Sequence, residues 1–393
     1  MLVAFRYNDG AIVAANREAK ALGIKRGAPF FQANTLIQQH KIACFSSNYA
    51  LYGDISHRVM TILESLAPSL EIYSIDEAFL QIVGIDASEP YLEFGRRVRA
   101  TIAQRTGLTC GIGIAQTRTL AKLANHAAKT WSATGGVVDL SDRIRQRKLM
   151  MLLPVDEVWG IGRKLSAKLR LMGIKTVLQL ADANLQLMKK TFGVVIERTI
   201  RELNGIPCIP IEALSAKQQI ICSRSFGERI TQLQDMKQAV CQYAERAAEK
   251  LREEKQYCHH VSVFLRTSPY ANEPQYGNSA NQMMMLATQD TRDIVAAAMK
   301  ALSQIWRDGY RYQKAGIMLN DFCSRPGQID MFDETRPRAN SEQLMQVVDR
   351  INSTGLGKVW FGGQGIEKGW RMKRELLSPS YTTKWSEIPK ASI

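Results

Sequence analysis

Residues 73–82 read YSIDEAFLQI, an apolar run broken at its centre by two adjacent acids, Asp76 and Glu77. Successive side chains of a strand point to opposite faces, so neighbouring carboxylates cannot share a face unless the chain bends there. YSI before the pair and FLQIV after it fit two antiparallel strands meeting in a tight turn, which brings both carboxylates to the end of a sheet. Two readings fit this decapeptide: solvated turn residues, or oxygen ligands of a divalent metal. Carboxylate oxygens are the hard donors that Mg2+ prefers, and such a site needs several of them.

The flanking periods alternate between helix and strand. DISHRVMTILESL reads as a helix, strands lie on either side of the acid pair, and EPYLEFGRRVRATIAQR reads as a second helix. LTCGIGIA, RTLAKLANHAAK and GGVVDL then give strand, helix and strand, so residues 54–140 form an α/β sandwich of the split βαβ kind. In RTLAKLANHAAK the spacing places Lys122, His126 and Lys129 on one helical face, with Leu120, Leu123, Ala124 and Ala127 on the core side. The cationic stripe is either a solvated face or a triphosphate clamp beside the acid pair.

Ahead of this region lie an apolar strand, a turn at Asn8-Asp9-Gly10, a second strand AIVAA and a helix capped by Asn16. Beyond it, VWGIGRKLSAKLRLMGIKTVLQL (158–180) sets hydrophobic-Gly-hydrophobic-Gly before a basic helix and repeats a Gly-Ile turn at Gly173. Gly160 and Gly162 let the backbone approach a phosphate, which the helix start binds, and Arg163, Lys164 and Lys168 add charge. This is a helix-hairpin-helix signature; a plain helix-turn-helix packing unit is the alternative.

Residues 217–322 follow the order βαββαβ, whose two helices can cover one sheet face and leave the other open. On HVSVFLRT, Val261, Val263 and Leu265 alternate with Ser262, Phe264 and Arg266, and Arg224 on QIICSRSF is expected to join the polar face. The segment after Cys323, SRPGQIDMFDETRPRAN, reads as a linker carrying an apolar insert, Gln328, Ile329, Asp330, Met331 and Phe332. The basic tail holds Trp360, Phe361 and Trp370, which are able to fold back onto a core.

The 393 residues suit several domains. Lysine and arginine total 52 against 37 acids, a net charge of +15 that favours a polyanionic partner, nucleic acid before anionic membrane. No apolar stretch approaches the ~20 residues of a spanning helix, and Arg6 and Asp9 interrupt any signal peptide in MLVAFRYNDG, so a cytoplasmic location is expected. The seven cysteines form no CxxC pair and read as buried, reduced thiols.

Together these residues resemble the Y-family of translesion DNA polymerases, most closely its UmuC branch. The stretches that carry the likeness are NDGAIVAANREAKALGIKRG, CFSSNYALYGDIS, EIYSIDEAF, GIGIAQTRTLAKLANHAAK, LPVDEVWGIGRKLSAKLRLMGIKTV, ICSRSFGERI and RYQKAGIML. The resemblance implies an α+β, multidomain right-hand polymerase: fingers 1–50, palm 51–148, thumb 149–215, little finger 216–325, and a linker and tail 326–393. It implies that a primer 3′-OH attacks the α-phosphate of a dNTP with two Mg2+ ions bound, and that Asp76 and Glu77 are metal-binding carboxylates. Lys129 and Lys20 match triphosphate contacts, and residues 328–332 match a sliding-clamp peptide.

The implied partners are a primer-template, dNTP, the clamp, a processed UmuD dimer and RecA, with no membrane. The family's first catalytic aspartate, and the aromatic that excludes ribonucleotides, fall ahead of the position of Asn8, and Asp9 belongs to the turn. The expectation is therefore an upstream start or a decayed copy. Three functions compete: a polymerase in the SOS damage response, a DNA- and clamp-binding remnant without synthesis, and a structure-selective nuclease.

Overall fold

A computed structural model describes residues 3–7, 10–85, 88–209, 216–324, 338–354, 357–366 and 369–391. The chain divides into two compact units, Met1–Ser47 with Leu214–Ser378, and Asn48–Ala213 with Pro379–Ile393. The first opens with β1 (Val3–Tyr7), β2 (Ala11–Ala15), α1 (Arg17–Ala21), α2 (Phe30–Gln39) and β3 (Ala43–Ser46), with sheet order β2-β1-β3. The Asn16 side chain caps α1 as expected, accepting the Ala19 N–H at 3.0 Å. Asn8 and Asp9 of the proposed turn lie outside the described residues. Ile12, Ile24, Ile37 and Ile42 form a small core beneath this sheet.

The second unit runs α3 (Tyr49–Glu64), β4 (Ser69–Ile72), β5 (Ala78–Gln81), α4 (Tyr91–Thr106), β6 (Ile112–Ile114), α5 (Arg118–Thr130) and β7 (Val137–Asp139). α3 starts about a turn before Asp54 because the Asn48 side chain accepts the Leu51 N–H at 3.3 Å. β4 and β5 are antiparallel, β6 and β7 are parallel with α5 as their crossover, and the described residues leave the two pairs as separate sheets. One core nonetheless underlies both, with Leu70, Leu80 and Ile112 packing on Phe94, Val98 and Ile102 of α4 and on Met60 and Leu63 of α3. A Cβ at Gly113 would stand 2.2 Å from Ala121 O and from Asn125 N. Only glycine lets β6 lie this close to α5.

Five further helices follow: α6 (Arg143–Leu152), α7 (Arg163–Leu171), α8 (Val177–Ala181), α9 (Leu185–Phe192) and α10 (Val194–Leu203). Their apolar faces join Leu120, Leu123, Ala124 and Ala127 of α5 in one core, so the expected core side of that helix is the observed one. Glu202 of α10 is wholly buried. Its carboxylate accepts N–H groups from Thr119 at 3.0 Å, Cys208 at 2.7 Å and Ile209 at 3.2 Å, while Thr117 Oγ1 donates to Glu202 O at 2.8 Å. A carboxylate at the first turn of α5 satisfies orphan amides and opposes the positive end of the helix dipole.

The first unit resumes with β8 (Gln219–Ile230), α11 (Leu233–Glu253), β9 (Tyr257–Thr267), β10 (Gly277–Thr288), α12 (Thr291–Ile305) and β11 (Tyr312–Cys323). This is the expected βαββαβ order. The sheet is β10-β9-β11-β8, with fully buried Val261, Val263, Ala315, Ile317 and Leu319 meeting the apolar faces of α11 and α12. The tail folds onto this core. α13 (Ser341–Ser353) buries Met345, and Arg252 forks onto its Asp349 at 2.6 and 2.7 Å while donating to Gln289 O and Thr291 Oγ1. Trp370 sits between Phe226 and Tyr243, with ring centroids 6.2 and 6.1 Å away.

Residues 325–337, and with them the apolar insert 328–332, lie outside the described residues. Of the cysteines, Cys222, Cys241 and Cys258 are buried, but Cys44, Cys110, Cys208 and Cys323 are only half-buried. The expectation of seven buried thiols is corrected accordingly, since these four lie near element ends where packing is incomplete.

Trp370→Ala removes a core aromatic and is expected to lower the hydrogen-exchange protection of β8 and α11 by about 3–5 kcal/mol. Trp360→Ala, at a half-exposed site, should change it by no more than about 0.5 kcal/mol. Glu202→Ala leaves three amides without their acceptor; exchange at Thr119 should quicken, with a loss of about 3 kcal/mol in local protection and none in α11.

Candidate active site and nucleic-acid interface

Tyr73 to Glu77 form the tight turn between β4 and β5. The Tyr73 and Ser74 N–H groups donate to Glu77 O at 3.0 and 2.9 Å, and Ser56 of α3 fixes the loop by donating its hydroxyl to Ile75 O at 2.6 Å. The bend inferred from sequence is present, and it treats the two acids differently. Asp76 is exposed; it accepts the Ser74 hydroxyl at 2.6 Å and donates its own N–H back to Ser74 Oγ at 3.3 Å. Glu77 faces α5, where its Oε2 meets Lys122 Nζ at 2.9 Å.

α5 presents a row of basic side chains to three different segments. Arg118 forks onto Glu71 of β4, Lys122 holds Glu77, and His126 Nδ1 lies 3.1 Å from Glu157 Oε2 in the short 3-10 turn Val155–Glu157. Lys122 also lies over the rings of Tyr73 and Trp159, at 4.3 and 4.9 Å from their centroids. Of the predicted stripe, it is therefore Lys122 that meets the acid pair. Lys129, two helical turns further along, is exposed, with its stem over the Gly111 backbone. Lys20, on α1, belongs to the other unit.

Trp159 leads directly into the glycine hairpin. Gly160 has φ +88°, a left-handed conformation that favours glycine, and Gly162 is the N-cap of α7 with no side-chain cap on the helix's first amides. Arg163, Lys164 and Lys168 are all exposed on α7, while Ile161 and Leu169 are buried. Amides, helix dipole and basic side chains are thus turned to solvent together, which suits a phosphate backbone.

In the first unit, strand register decides which cations share the open face of the four-stranded sheet. Lys314 of β11 stands opposite Arg266 of β9 on one side and Ser225 of β8 on the other. Arg224 instead stands opposite Ala315, in phase with buried Cys222, and so falls on the helix-covered side at the sheet edge. The expectation that Arg224 joins Arg266 is corrected. SRS offers a cation one residue out of phase with the open face, and Lys314 takes that place. Burial, then the like charges of Arg266 and Arg224, hold the Lys314 ammonium below the usual lysine range.

Asp76 and Glu77 supply the hard oxygen donors that suit Mg2+ in kind. In number they fall short, because no group of three metal-capable side chains occurs among the described residues. Among those residues no helix is long and apolar enough to cross a membrane. Sequence reasoning missed Tyr73, Glu157, Trp159, Glu202 and Lys314. The first three act through pairings with α5 across 31 residues or more that no local period encodes; Lys314 was legible in the alternation of QKAGIML.

Residues 1–126 match the impB/mucB/samB family, residues 217–331 its C-terminal domain, and residues 144–174 its helix-hairpin-helix motif. Residues 342–391 match a domain of unknown function, DUF4113. The chain is 55% identical to Protein SamB of Salmonella typhimurium over all of its own length and 94% of that protein's. It is 54% identical to Protein UmuC of S. typhimurium strain LT2, covering 98% of this chain and 93% of that one. DNA polymerase IV of Clostridium acetobutylicum is 27% identical over 88% of this chain and 84% of its own. Among solved structures, a Y-family DNA polymerase chimera of Dbh and Dpo4 superposes with a TM-score of 0.62 at 20% identity, covering 82% of this chain and 91% of that one. The fold, the hairpin motif and the near full-length likeness to SamB and UmuC agree: this chain belongs to the impB/mucB/samB family of Y-family DNA polymerases.

Proposed function

We propose that the chain is an error-prone translesion DNA polymerase of the SOS damage response, joining a dNTP to a primer 3′-OH with Asp76 and Glu77 as ligands of Mg2+. The observation that carries this reading is the acid turn itself, with Glu77 held on a cationic helix face and Trp159 linking that face to the phosphate-binding hairpin. Y-family DNA polymerases depend on divalent metal, which when bound neutralises charge on the transferring phosphoryl group and activates the attacking hydroxyl. The chain's own residues position the reactants. Gly160, Gly162, Arg163, Lys164 and Lys168 grip duplex backbone, Arg266 and Lys314 track it along the sheet face, and Lys129 and Lys20 serve the triphosphate.

In the same reading the segments take the roles of fingers, palm, thumb and little finger. Residues 328–332 dock on a sliding clamp, and a processed UmuD dimer and RecA are protein partners. A second reading, a DNA- and clamp-binding remnant without synthesis, draws on the absence of a third metal-capable side chain beside the acid turn among the described residues.

Primer extension with Mg2+, run on this chain and on a form extended at its N-terminus, separates the two. Synthesis that falls by at least about 100-fold in Asp76→Ala and Glu77→Ala supports the polymerase. Synthesis that survives both substitutions removes the assigned site, and DNA binding without synthesis by either form supports the remnant. For the sheet face, Arg266→Ala and Lys314→Ala should each lower the log–log salt slope of DNA affinity by about 1, whereas Arg224→Ala leaves it nearly unchanged. Because only protonated Lys314 attracts phosphate, its share should fade as pH rises toward its lowered pKa, at less alkaline pH than for an ordinary lysine.

A further inference from the structure

Lys122 differs from the other cations of α5 in how its ammonium is enclosed. Glu77 Oε2 lies 2.9 Å from it, and the rings of Tyr73 and Trp159 form two further walls. Those rings meet edge to face at 5.5 Å and 90°, and Phe79 supports Trp159 at 6.1 Å. Arg118, over Phe79 and forked onto Glu71, closes the far side of the aromatic cluster. The Lys122 side chain keeps 20% of its exposure and Glu77 keeps 37%, so the pair is screened less than a surface ion pair. Aromatic faces add attraction for an ammonium and none for the carboxylate. The seat is therefore built for the cation.

An ammonium at hydrogen-bond distance from Glu77 and a divalent ion on the same carboxylate repel one another and compete for one charge. We infer that Lys122 is the resident counter-ion of the acid turn, seated by Tyr73 and Trp159, and that a divalent cation binding there displaces it. Trp159, joined directly to Gly160, then senses the exchange, so that the state of the acid turn is felt at the entry to the hairpin. This rests on the reading of Asp76 and Glu77 as metal ligands.

The test is titration of the metal-free full chain with MgCl2, followed by calorimetry and tryptophan emission. Lys122→Gln is expected to bind Mg2+ about tenfold more tightly than wild type, and Trp159→Leu, which removes one wall and touches neither carboxylate, should shift affinity in the same direction. The emission change of wild type on adding Mg2+ should be lost in Trp159→Phe although the ion still binds. Unchanged or weaker affinity in both Lys122→Gln and Trp159→Leu, with binding still lost in Glu77→Gln, overturns the counter-ion role alone. An emission change that persists in Trp159→Phe overturns the sensing role. Binding indifferent to Asp76→Asn and Glu77→Gln, or no binding by any form, overturns the metal reading and this inference with it.

Discussion

The second unit depends on one helix whose two faces have opposite needs. Leu120, Leu123, Ala124 and Ala127 of α5 are buried to 2% exposure or less, which ties its rotation to the core. With that face fixed, Arg118, Lys122 and His126 have to point the other way, each toward a carboxylate from a different segment: Glu71, Glu77 and Glu157. Paired charges of this kind contribute little net stability, but losing one partner leaves a half-buried charge unmatched. Their effect is therefore on register: β4, the acid turn and the approach to the hairpin are each set against a particular turn of α5. Glu202 fixes the N-terminal end of the helix, accepting the Thr119 N–H on its carboxylate while its backbone carbonyl accepts the Thr117 hydroxyl.

From this follows the inequality of the two acids. Glu77 is the member that α5 captures, and its carboxylate is oriented before anything binds. Asp76, one residue earlier, is left to solvent, with the Ser74 hydroxyl as its side-chain partner among the described residues. A ligand approaching the turn meets an oriented oxygen and an adaptable one. Orientation by a neighbouring ion pair reduces the entropy lost on coordination, at the cost of a competing cation that must be moved.

Much of this was legible in the sequence because it is written in short periods. The bend at Asp76 and Glu77 follows from two adjacent charges in an apolar run. The core side of α5 follows from its 3.6-residue spacing, and βαββαβ from the alternation in HVSVFLRT and its neighbours. Arg224 shows the limit of that method. Its strand was read correctly, but which face it occupies depends on register against β11, and one residue of phase moves it from the open side to the covered one. Trp159 and Glu157 show another limit. Both sit in a motif with an obvious reading as a DNA hairpin, and nothing local marks them as contacts of a helix some 30 residues earlier. Glu202 reads as an ordinary acid at the end of an amphipathic helix until the amides it accepts are known.

The tail completes the argument about the sheet. α13 and the segment to Leu377 attach on the helical side and at the edge: Arg252 of α11 grips Asp349, the Phe361 N–H reaches Glu245 of α11 at 3.2 Å, Trp370 enters the core beside Phe226, and Leu376 exchanges hydrogen bonds with Ser46 of β3. The first three contacts continue the packing of α11 and of the four-stranded sheet, the last reaches the three-stranded sheet, and none of the four is made to Lys314 or Arg266. Met283, on the face that carries those two residues, remains 72% exposed. The described residues between 342 and 378, matched only to a domain of unknown function, are thus a layer of this unit, and a tail anchored through a buried tryptophan and a forked ion pair cannot move to the opposite side of the sheet without disrupting the core that holds it.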